Sequence, residues 1–255
     1  MYLIDTHAHI YLDRFDGAVH EVVRHAREAG VGRIYLPNID SGTIENMIQL
    51  ENLYPAFFYP MIGLHPTSVD ENYMKELEKM ENWLKQRDFS AIGEIGIDLY
   101  WDSNYRKEQE NAFEIQLKWA GEKGMPVVIH SRDSFREIFD VLTKLDDGRL
   151  YGIFHSFAGN LEDAQHIIDL GFKIGINGIV TFKNSSLDEV VSQIDIEHLV
   201  LETDSPFLAP VPRRGKRNES AYVKYIAQKI AEVKNLSVDD VAAITTRNAL
   251  KVFGD

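Results

Sequence analysis

Short apolar runs alternate with amphipathic stretches along almost the whole chain. The runs are rich in Val, Ile, Leu, Phe and Tyr, which is typical of strands that are buried on both faces of a parallel sheet. We predict eight such strands, near residues 2–7, 33–38, 57–63, 90–96, 126–130, 151–155, 172–176 and 198–203.

The stretches between the strands repeat apolar residues at intervals of three and four positions, the spacing of one face of an α-helix. In the first of them, Val19, Val22, Val23 and Ala26 share one face, and Gly30 is expected to end the helix. Later stretches contain the sets Met74-Leu77-Met80-Leu84, Phe113-Leu117-Ala120, Phe135-Ile138-Phe139-Leu142 and Leu161-Ala164-Ile167-Ile168. Two further helices are predicted near residues 219–234 and 238–252, with Ser237 as the N-cap of the second.

These strand–helix repeats follow one another without a linker or a low-complexity segment. The pattern predicts an α/β fold, a (β/α)8 TIM barrel that forms a single domain over residues 1–255. Because the strands of such a barrel are parallel, their C-terminal ends share one rim, and active sites of this fold lie there.

Polar residues stand at the C-terminal ends of most predicted strands. In chain order they are His7, His9, Asn38, His65, Glu94, His130, His155 and Asp204, and they include five of the nine histidines. His7 and His9 are two positions apart on an extended segment, so both imidazoles can reach one point. We therefore expect residues that are distant in sequence to converge at the rim.

Imidazole and carboxylate groups are ligands for Zn²⁺, Mn²⁺, Fe²⁺ or Mg²⁺. The predicted ligands are His7, His9, Glu94, His130, His155 and Asp204. Six ligands exceed what one tetrahedral ion uses, so we predict two divalent ions. Glu94 is expected to bridge them, with His7, His9 and Asp204 on one ion and His130 and His155 on the other. The alternative is that His130 and His155 are ordinary core histidines and that Asp204 caps the turn before Pro206.

Two such ions activate a water for attack, so the expected reaction is hydrolysis, with Glu94 and Asp204 as the catalytic carboxylates. Asp204 is also expected to accept the proton of the attacking water. The chain has no Gly-x-Ser-x-Gly motif, no Walker phosphate loop and no cysteine, which removes the competing nucleophiles. Glu202 lies two positions before Asp204 and either binds a third ion or orients a neighbouring histidine or arginine.

The net charge of −13 excludes a nonspecific nucleic-acid coat protein, which would be basic, but leaves open a phosphate site in a cleft. Four cations, Arg213, Arg214, Lys216 and Arg217, fall within five positions of the loop after the eighth strand. This loop is predicted to hold phosphate, the alternative being a solvated surface loop. Arg132, and with less support Arg106, are further candidates.

The ordered motifs resemble those of the TatD family of metal-dependent deoxyribonucleases, of the amidohydrolase-like TIM-barrel superfamily. The motifs are Asp5-Thr6-His7-Ala8-His9, Gly63-Leu64-His65-Pro66, Gly93-Glu94-Ile95-Gly96-Ile97-Asp98, His130-Ser131-Arg132, Phe154-His155-Ser156-Phe157, Glu202-Thr203-Asp204-Ser205-Pro206 and Arg214-Gly215-Lys216-Arg217-Asn218-Glu219. The resemblance implies a two-metal nuclease, active in some members as a 3′-to-5′ exonuclease on single-stranded DNA or RNA. Ser156, Ala158 and Ser220 depart from the usual family residues, but none is at a ligand position.

We accordingly predict hydrolysis of nucleic acid, with substrate contacts from His65, Arg132, Arg214, Lys216 and Arg217. Tyr100 and Trp101 follow the fourth strand and either stack on a base or cover the barrel mouth. The alternatives are a small-molecule amide, lactone or phosphotriester hydrolase of the same superfamily, and a catalytically silent metal-binding or nucleic-acid-binding protein.

A cytoplasmic location without a membrane segment is expected, because no run approaches the ~18 apolar residues of a membrane helix. Asp5 and Asp13 interrupt any signal-peptide pattern. No obligatory protein partner is indicated.

Overall fold

The computed structural model describes residues 1–101, 103–145 and 148–254. Within these ranges the chain contains eight parallel strands. They are β1 (Leu3–Asp5), β2 (Val31–Pro37), β3 (Phe58–Met61), β4 (Ile92–Asp98), β5 (Val127–Arg132), β6 (Gly152–Phe154), β7 (Lys173–Ile176) and β8 (Leu199–Leu201).

Helices follow the strands along the same described part of the chain. Their bounds are α1 (Val19–Glu28), α2 (Ile44–Leu53), α3 (Tyr73–Gln86), α4 (Arg106–Lys123), α5 (Phe135–Leu145), α6 (Leu161–Asp169), α7 (Leu187–Gln193), α8 (Val223–Lys234) and α9 (Val238–Phe253). Their apolar faces pack on the outside of the strands and form the larger hydrophobic core. The helices therefore surround the sheet, as the alternating sequence pattern predicts.

The strands pair in chain order as β1-β2-β3 and β4-β5-β6-β7-β8, and short contacts join the two sheets at both seams. Between β3 and β4, the backbone N–H of Gly93 donates to the carbonyl of Ile62 at 2.8 Å. Between β8 and β1, the N–H of Thr6 donates to the carbonyl of Leu201 at 3.0 Å. Hydrogen bonds thus link consecutive strands around the ring, and the predicted barrel is confirmed.

A second, smaller core combines one residue from most of the strands with residues of α9. Its members are Ile4, Tyr35, Met61, Ala91, Val128, Ile153, Val200, Ala249 and Val252. Residues from strands around the whole ring can meet only inside the barrel. This cluster therefore fills the lower interior, the end of the barrel away from the C-terminal rim, and α9 covers it. Side chains two positions further along a strand point the same way. The interior positions above Val128, Ile153 and Val200 are therefore His130, His155 and Glu202.

The order and type of the predicted elements are confirmed, whereas several details differ. The sequence analysis singled out no apolar stripe for α2 or α7, the latter only seven residues long. Met74 and Leu161 were assigned to buried stripes but are exposed, since each stands in the first turn of its helix. Ser237 caps α9 as predicted, with its hydroxyl accepting from the N–H of Asp240 at 3.1 Å.

In the described ranges, no helix is both long enough and apolar enough to cross a membrane.

Candidate metal centre

Five histidines surround the carboxylate of Glu94 at the C-terminal rim of the barrel. Oε2 of Glu94 lies 3.0 Å from Nε2 of His7 and 3.7 Å from Nε2 of His9. Oε1 lies 2.7 Å from Nδ1 of His130, 3.3 Å from Nε2 of His65 and 3.7 Å from Nε2 of His155. The two oxygens of one buried carboxylate thus face two different sets of imidazoles.

Asp204 completes the cluster from the turn after β8. Its Oδ1 lies 3.7 Å from Nε2 of His9 and 3.9 Å from Nε2 of His155. The residue has φ 55, a left-handed conformation that Asp tolerates better than most residues. Its N–H donates to the carbonyl of His7 at 2.9 Å, so this turn is tied to the segment that follows β1.

All six predicted ligands, together with His65, are therefore brought into one cluster. The sets of atoms that lie close enough to share an ion are His7-His155-Asp204, His7-His9-Glu94 and His65-Glu94-His130. His155 falls with His7 and Asp204 in these sets, whereas the sequence analysis placed it with His130. The division of the ligands between two ions stays a prediction.

Tyr11 determines which nitrogen of His9 faces the cluster. The Tyr11 hydroxyl donates to the carbonyl of Pro37 at 2.6 Å, so it must accept from Nδ1 of His9, 2.8 Å away. His9 therefore carries its proton on Nδ1, and the lone pair of Nε2 points toward Glu94 and Asp204. This is the tautomer that a metal ligand requires.

Carboxylates stand behind two other histidines in the same manner. Oδ2 of Asp98 lies 2.9 Å from Nε2 of His130, and Oε1 of Glu202 lies 2.9 Å from Nδ1 of His155. Asp98 accepts the ring proton of His130 and leaves Nδ1 directed at the cluster. Glu202 is within ion-pair distance of His155, whose Nε2 faces the cluster. A Cβ on Gly175 would lie 2.4 Å from Oε2 of Glu202, so the glycine provides the space that Glu202 occupies.

His65 differs from these histidines, because the group behind its ring is a hydrogen-bond donor and not an acceptor. Its Nδ1 accepts the N–H of Thr67 at 3.1 Å, so the ring proton lies on Nε2, the atom that faces Glu94. In this tautomer Nε2 is a donor and not a metal ligand. The role of His65 as a substrate contact stays a prediction.

The donor set fits divalent cations. Lone pairs of nitrogen and carboxylate oxygen converge in a buried site, and His7 Nδ1 is a buried polar atom without a hydrogen-bond partner in the described part of the chain. Leaving such groups unpaired in a dry interior is costly, whereas a cation satisfies several of them at once.

Burial and mutual charges set the protonation of the cluster. Burial lowers the pKa of His7 well below its usual value and that of His9 to about 4. Burial would raise the pKa of Glu94, but the surrounding His65, His7 and His155 hold it well below its usual range. The site therefore has an ionised carboxylate at its centre with neutral His7 and His9 beside it, the protonation that cation binding needs at these three residues.

The pKa values of His155 and Asp204 are raised. Burial lowers the pKa of His155, but the carboxylates of Glu202 and Glu94 outweigh it and raise the value to about 10. Burial raises the pKa of Asp204 to about 7, against the opposing effect of His155. Loading the site with a cation must therefore displace protons.

The predicted phosphate contacts lie outside the cluster and differ in their surroundings. Arg214 stacks on Phe182 at 3.9 Å, and Arg217 stacks on Phe15 and donates to the carbonyl of Arg14 at 2.7 Å. Lys216 is exposed. Arg106 was a further candidate, but it is engaged by Glu110 at 2.8 Å and by Glu137 at 3.1 Å, which argues against it.

Sequence reasoning missed Tyr11 and Asp98 as parts of the site. Both act on a histidine from the side that faces away from the cluster, and nothing in the linear sequence pairs them with their partners. The signal that could have identified Asp98 is its place in the motif Gly93–Asp98. For Tyr11 the signal is weaker, because it consists of its position two residues after His9.

A buried histidine–carboxylate cluster at the C-terminal rim of a TIM barrel is the site of a metal-dependent hydrolase. Comparisons with known proteins agree. The family model described as TatD related DNase matches residues 4–254. YabD of Bacillus subtilis, an uncharacterized metal-dependent hydrolase, is 36% identical, with 98% of each chain covered.

A solved structure of a TatD homologue also resembles this chain along its whole length. The TatD homologue YjjV of Escherichia coli superposes with a TM-score of 0.93 at 28% identity, covering 99% of this chain and 98% of its own. An organophosphorus hydrolase variant from Deinococcus radiodurans, 14% identical with a TM-score of 0.68, shares the fold. The chain belongs to the TatD family, as the sequence motifs predicted.

Proposed function

We propose that the protein is a metal-dependent phosphodiesterase that removes nucleotides from the 3′ end of single-stranded DNA, with RNA as a second substrate. The observation that carries this proposal is the single carboxylate of Glu94 between two sets of histidines. Such a carboxylate suits two ions that share one ligand. The family description as a DNase supports the choice of substrate.

His7, His9, His130, His155 and Asp204 would hold the ions around Glu94. Divalent ions in this position polarise the phosphodiester and favour attack by water. Tyr11, Asp98 and Glu202 stand on the far side of their histidines and direct the other ring nitrogen toward the ions. Asp204, whose side chain is 14% exposed, accepts a proton from the attacking water.

His65 and the arginines act on the substrate. Nε2–H of His65 donates toward a phosphate oxygen, since it already points into the cluster. Arg132, Arg214, Lys216 and Arg217 add positive charge along the rim of an otherwise acidic protein. The cytoplasmic location and the absence of an obligatory partner stay predictions.

The test is degradation of 5′-labelled single-stranded DNA and RNA by metal-stripped protein to which Mg²⁺, Mn²⁺ or Zn²⁺ is restored in turn. Stepwise shortening that is lost in Glu94→Ala and in Asp204→Asn is the expected result. Glu78→Gln, an exposed carboxylate on α3, is the matched control and should behave as the wild type.

Other outcomes distinguish the alternatives. Hydrolysis of small esters or lactones without cleavage of nucleic acid, still dependent on Glu94, would make the protein a small-molecule hydrolase. Metal binding without turnover of any of these substrates would make it a silent binding protein.

A further inference from the structure

Two pairings of an arginine with exposed aromatic side chains, Arg132 with Tyr100 and Trp101 and Arg14 with Phe207, flank the metal centre. On one side, the guanidinium of Arg132 lies 4.1 Å from the ring centroid of Tyr100 and 5.4 Å from that of Trp101. On the other, Arg14 lies 5.3 Å from the ring of Phe207. Trp101 is 67% exposed and Phe207 is 41% exposed, so neither ring is fully covered by its arginine.

The first pair is connected to the metal centre through Asp98. Oδ1 of Asp98 accepts the N–H groups of Tyr100 and Trp101, both at 3.0 Å, and Oδ2 contacts Nε2 of His130. One carboxylate therefore positions both a predicted metal ligand and the aromatic segment. A ligand that stacks on Trp101 sits next to the reacting centre.

The second pair is connected through Asp204. The N–H of Phe207 donates to the carbonyl of Asp204 at 2.8 Å, and the Phe207 ring makes an edge contact with His9 at 6.3 Å between centroids. The two pairs thus stand beside β4–β5 and beside β8–β1, with the metal centre between them.

The charge of the two arginines bears on what the two pairs can bind. Among the residues that the structure describes, Arg132 and Arg14 have no carboxylate within salt-bridge distance. Each guanidinium uses its face on an aromatic ring and keeps its N–H edge available, which suits bidentate contact with a phosphate. A ring next to such an edge matches a nucleotide, which offers a flat base and an anion.

We propose that the two pairs are stacking subsites for the unpaired bases of the two nucleotides that flank the scissile phosphate. The proposal rests on the proposed function and names the feature of the substrate that the site selects. Bases inside a duplex are stacked on their neighbours and have no free face, whereas single-stranded bases stack readily on aromatic side chains. Single-strand selectivity then comes from Trp101 and Phe207 and not from the metals.

The experiment combines variants of the protein with abasic substrates. A 3′ exonuclease cuts between the last two nucleotides, so the base is removed from either the terminal or the penultimate position of a 5′-labelled oligothymidylate. In the wild type, each removal should lower kcat/KM about tenfold, the scale of one base–aromatic contact. Trp101→Ala should be insensitive to one of the two removals, and Phe207→Ala to the other.

Conservative and distant variants complete the design. Trp101→Phe should restore sensitivity to the base, because a phenyl ring still stacks. Tyr2→Ala removes an exposed aromatic ring just before β1, at the opposite end of the barrel, and should match the wild type. If both base removals retain their full effect in Trp101→Ala and Phe207→Ala, the stacking subsites do not exist, even where overall activity has fallen.

A binding measurement separates this proposal from the proposed function. Trp101 is exposed, whereas Trp83 and Trp119 pack against the core, so quenching of tryptophan fluorescence by a hydrolysis-resistant phosphorothioate oligothymidylate reports on Trp101. Quenching that is lost in Trp101→Phe, in a protein that cuts no nucleic acid, would refute the nuclease and support the subsite. Cleavage without quenching would support the nuclease and refute the subsite.

Discussion

At the scale of single residues, the atom behind each histidine decides what that histidine can do. His9, His130 and His155 have an acceptor on the side away from the cluster, whereas His65 has a donor there. Five imidazoles that look equivalent in the sequence therefore differ in which ring nitrogen can serve as a metal ligand and which as a hydrogen-bond donor. The tautomers give two predictions.

Tyr11→Phe should weaken metal binding by about 10- to 100-fold, the range found when an outer partner of a ligating histidine is removed. The phenyl ring fills the same space, but Nδ1 of His9 loses its acceptor and the ligating tautomer is no longer favoured. Competition titration with a metal chelator measures the change. Tyr151→Phe is the control, since its hydroxyl bonds to the carbonyl of Gly124, which lies before β5. Equal affinity in both variants would contradict the assignment.

His65→Ala should lower kcat by about 100-fold, the lower end of the range for loss of a positioned proton donor. Metal affinity should stay within about twofold of the wild type, because Nε2 of His65 carries a proton and is not a ligand. Parallel metal titration and kinetics of His65→Ala and His130→Ala measure the difference. A loss of metal as large as that of His130→Ala would show that His65 is a ligand.

At the scale of elements, the turn after β8 is held to β1 by a buried hydrogen-bonded pair. Asp5 accepts the N–H of Thr203 at 2.8 Å and its hydroxyl at 2.6 Å, and Asn218 donates to the carbonyl of Thr203 at 2.7 Å. These contacts close the barrel and place Asp204 beside His9. The same short segment serves both the fold and the site.

Thr203→Val should destabilise the protein by about 1–3 kcal/mol, because the variant keeps the shape but leaves Asp5 without one of its donors. Denaturant unfolding of the metal-free protein, with an unchanged m-value, measures the loss. Thr246→Val is the control, since Thr246 is half-buried on α9 and its hydroxyl donates to the carbonyl of Tyr2 and not to a carboxylate. A loss no larger than that of the control would show that the pair does not close the seam.

Element prediction succeeded where one face of a segment is consistently apolar and failed where burial is partial. In α5, Ile138 and Leu142 are fully buried, as their spacing predicts. In α2 and α7, polar side chains take much of the surface and the apolar stripe is short. The periodic signal is then too weak to separate a short helix from a loop.

At the scale of the whole molecule, the lower interior of the barrel is packed with apolar groups and closed by α9. Tyr35 lies there, stacked on Phe253 at 3.8 Å and on Tyr59 at 5.1 Å between centroids. The catalytic rim and this apolar base are opposite ends of one interior. Substitutions in the apolar base are therefore expected to change the stability of the fold without changing the site at the rim.

Burial raises the pKa of Tyr35 to about 12, despite the nearby Arg33, whereas a tyrosine in the unfolded chain ionises near 10. Between these values the unfolded state releases a proton that the folded state keeps, so stability decreases as pH rises. Tyr35→Phe removes this contribution and should lose less thermal stability than the wild type between about pH 9 and about pH 12. Melting temperatures of both proteins across that pH range measure the difference. If the two plots of melting temperature against pH run parallel, the burial of the Tyr35 hydroxyl is contradicted.

The sequence by itself determined the barrel, the family and the six residues that meet at the rim. It did so because strand periodicity and strand order are local properties, and parallel strands bring their C-terminal ends to one side. Tertiary structure alone decided which nitrogen of each histidine faces the cluster and that Asp98 serves both His130 and Trp101. It also decided that Arg132 and Arg14 have no acidic partner among the residues that the structure describes. These features depend on distances between side chains that come from different strands, and such distances exist only once the ring has closed.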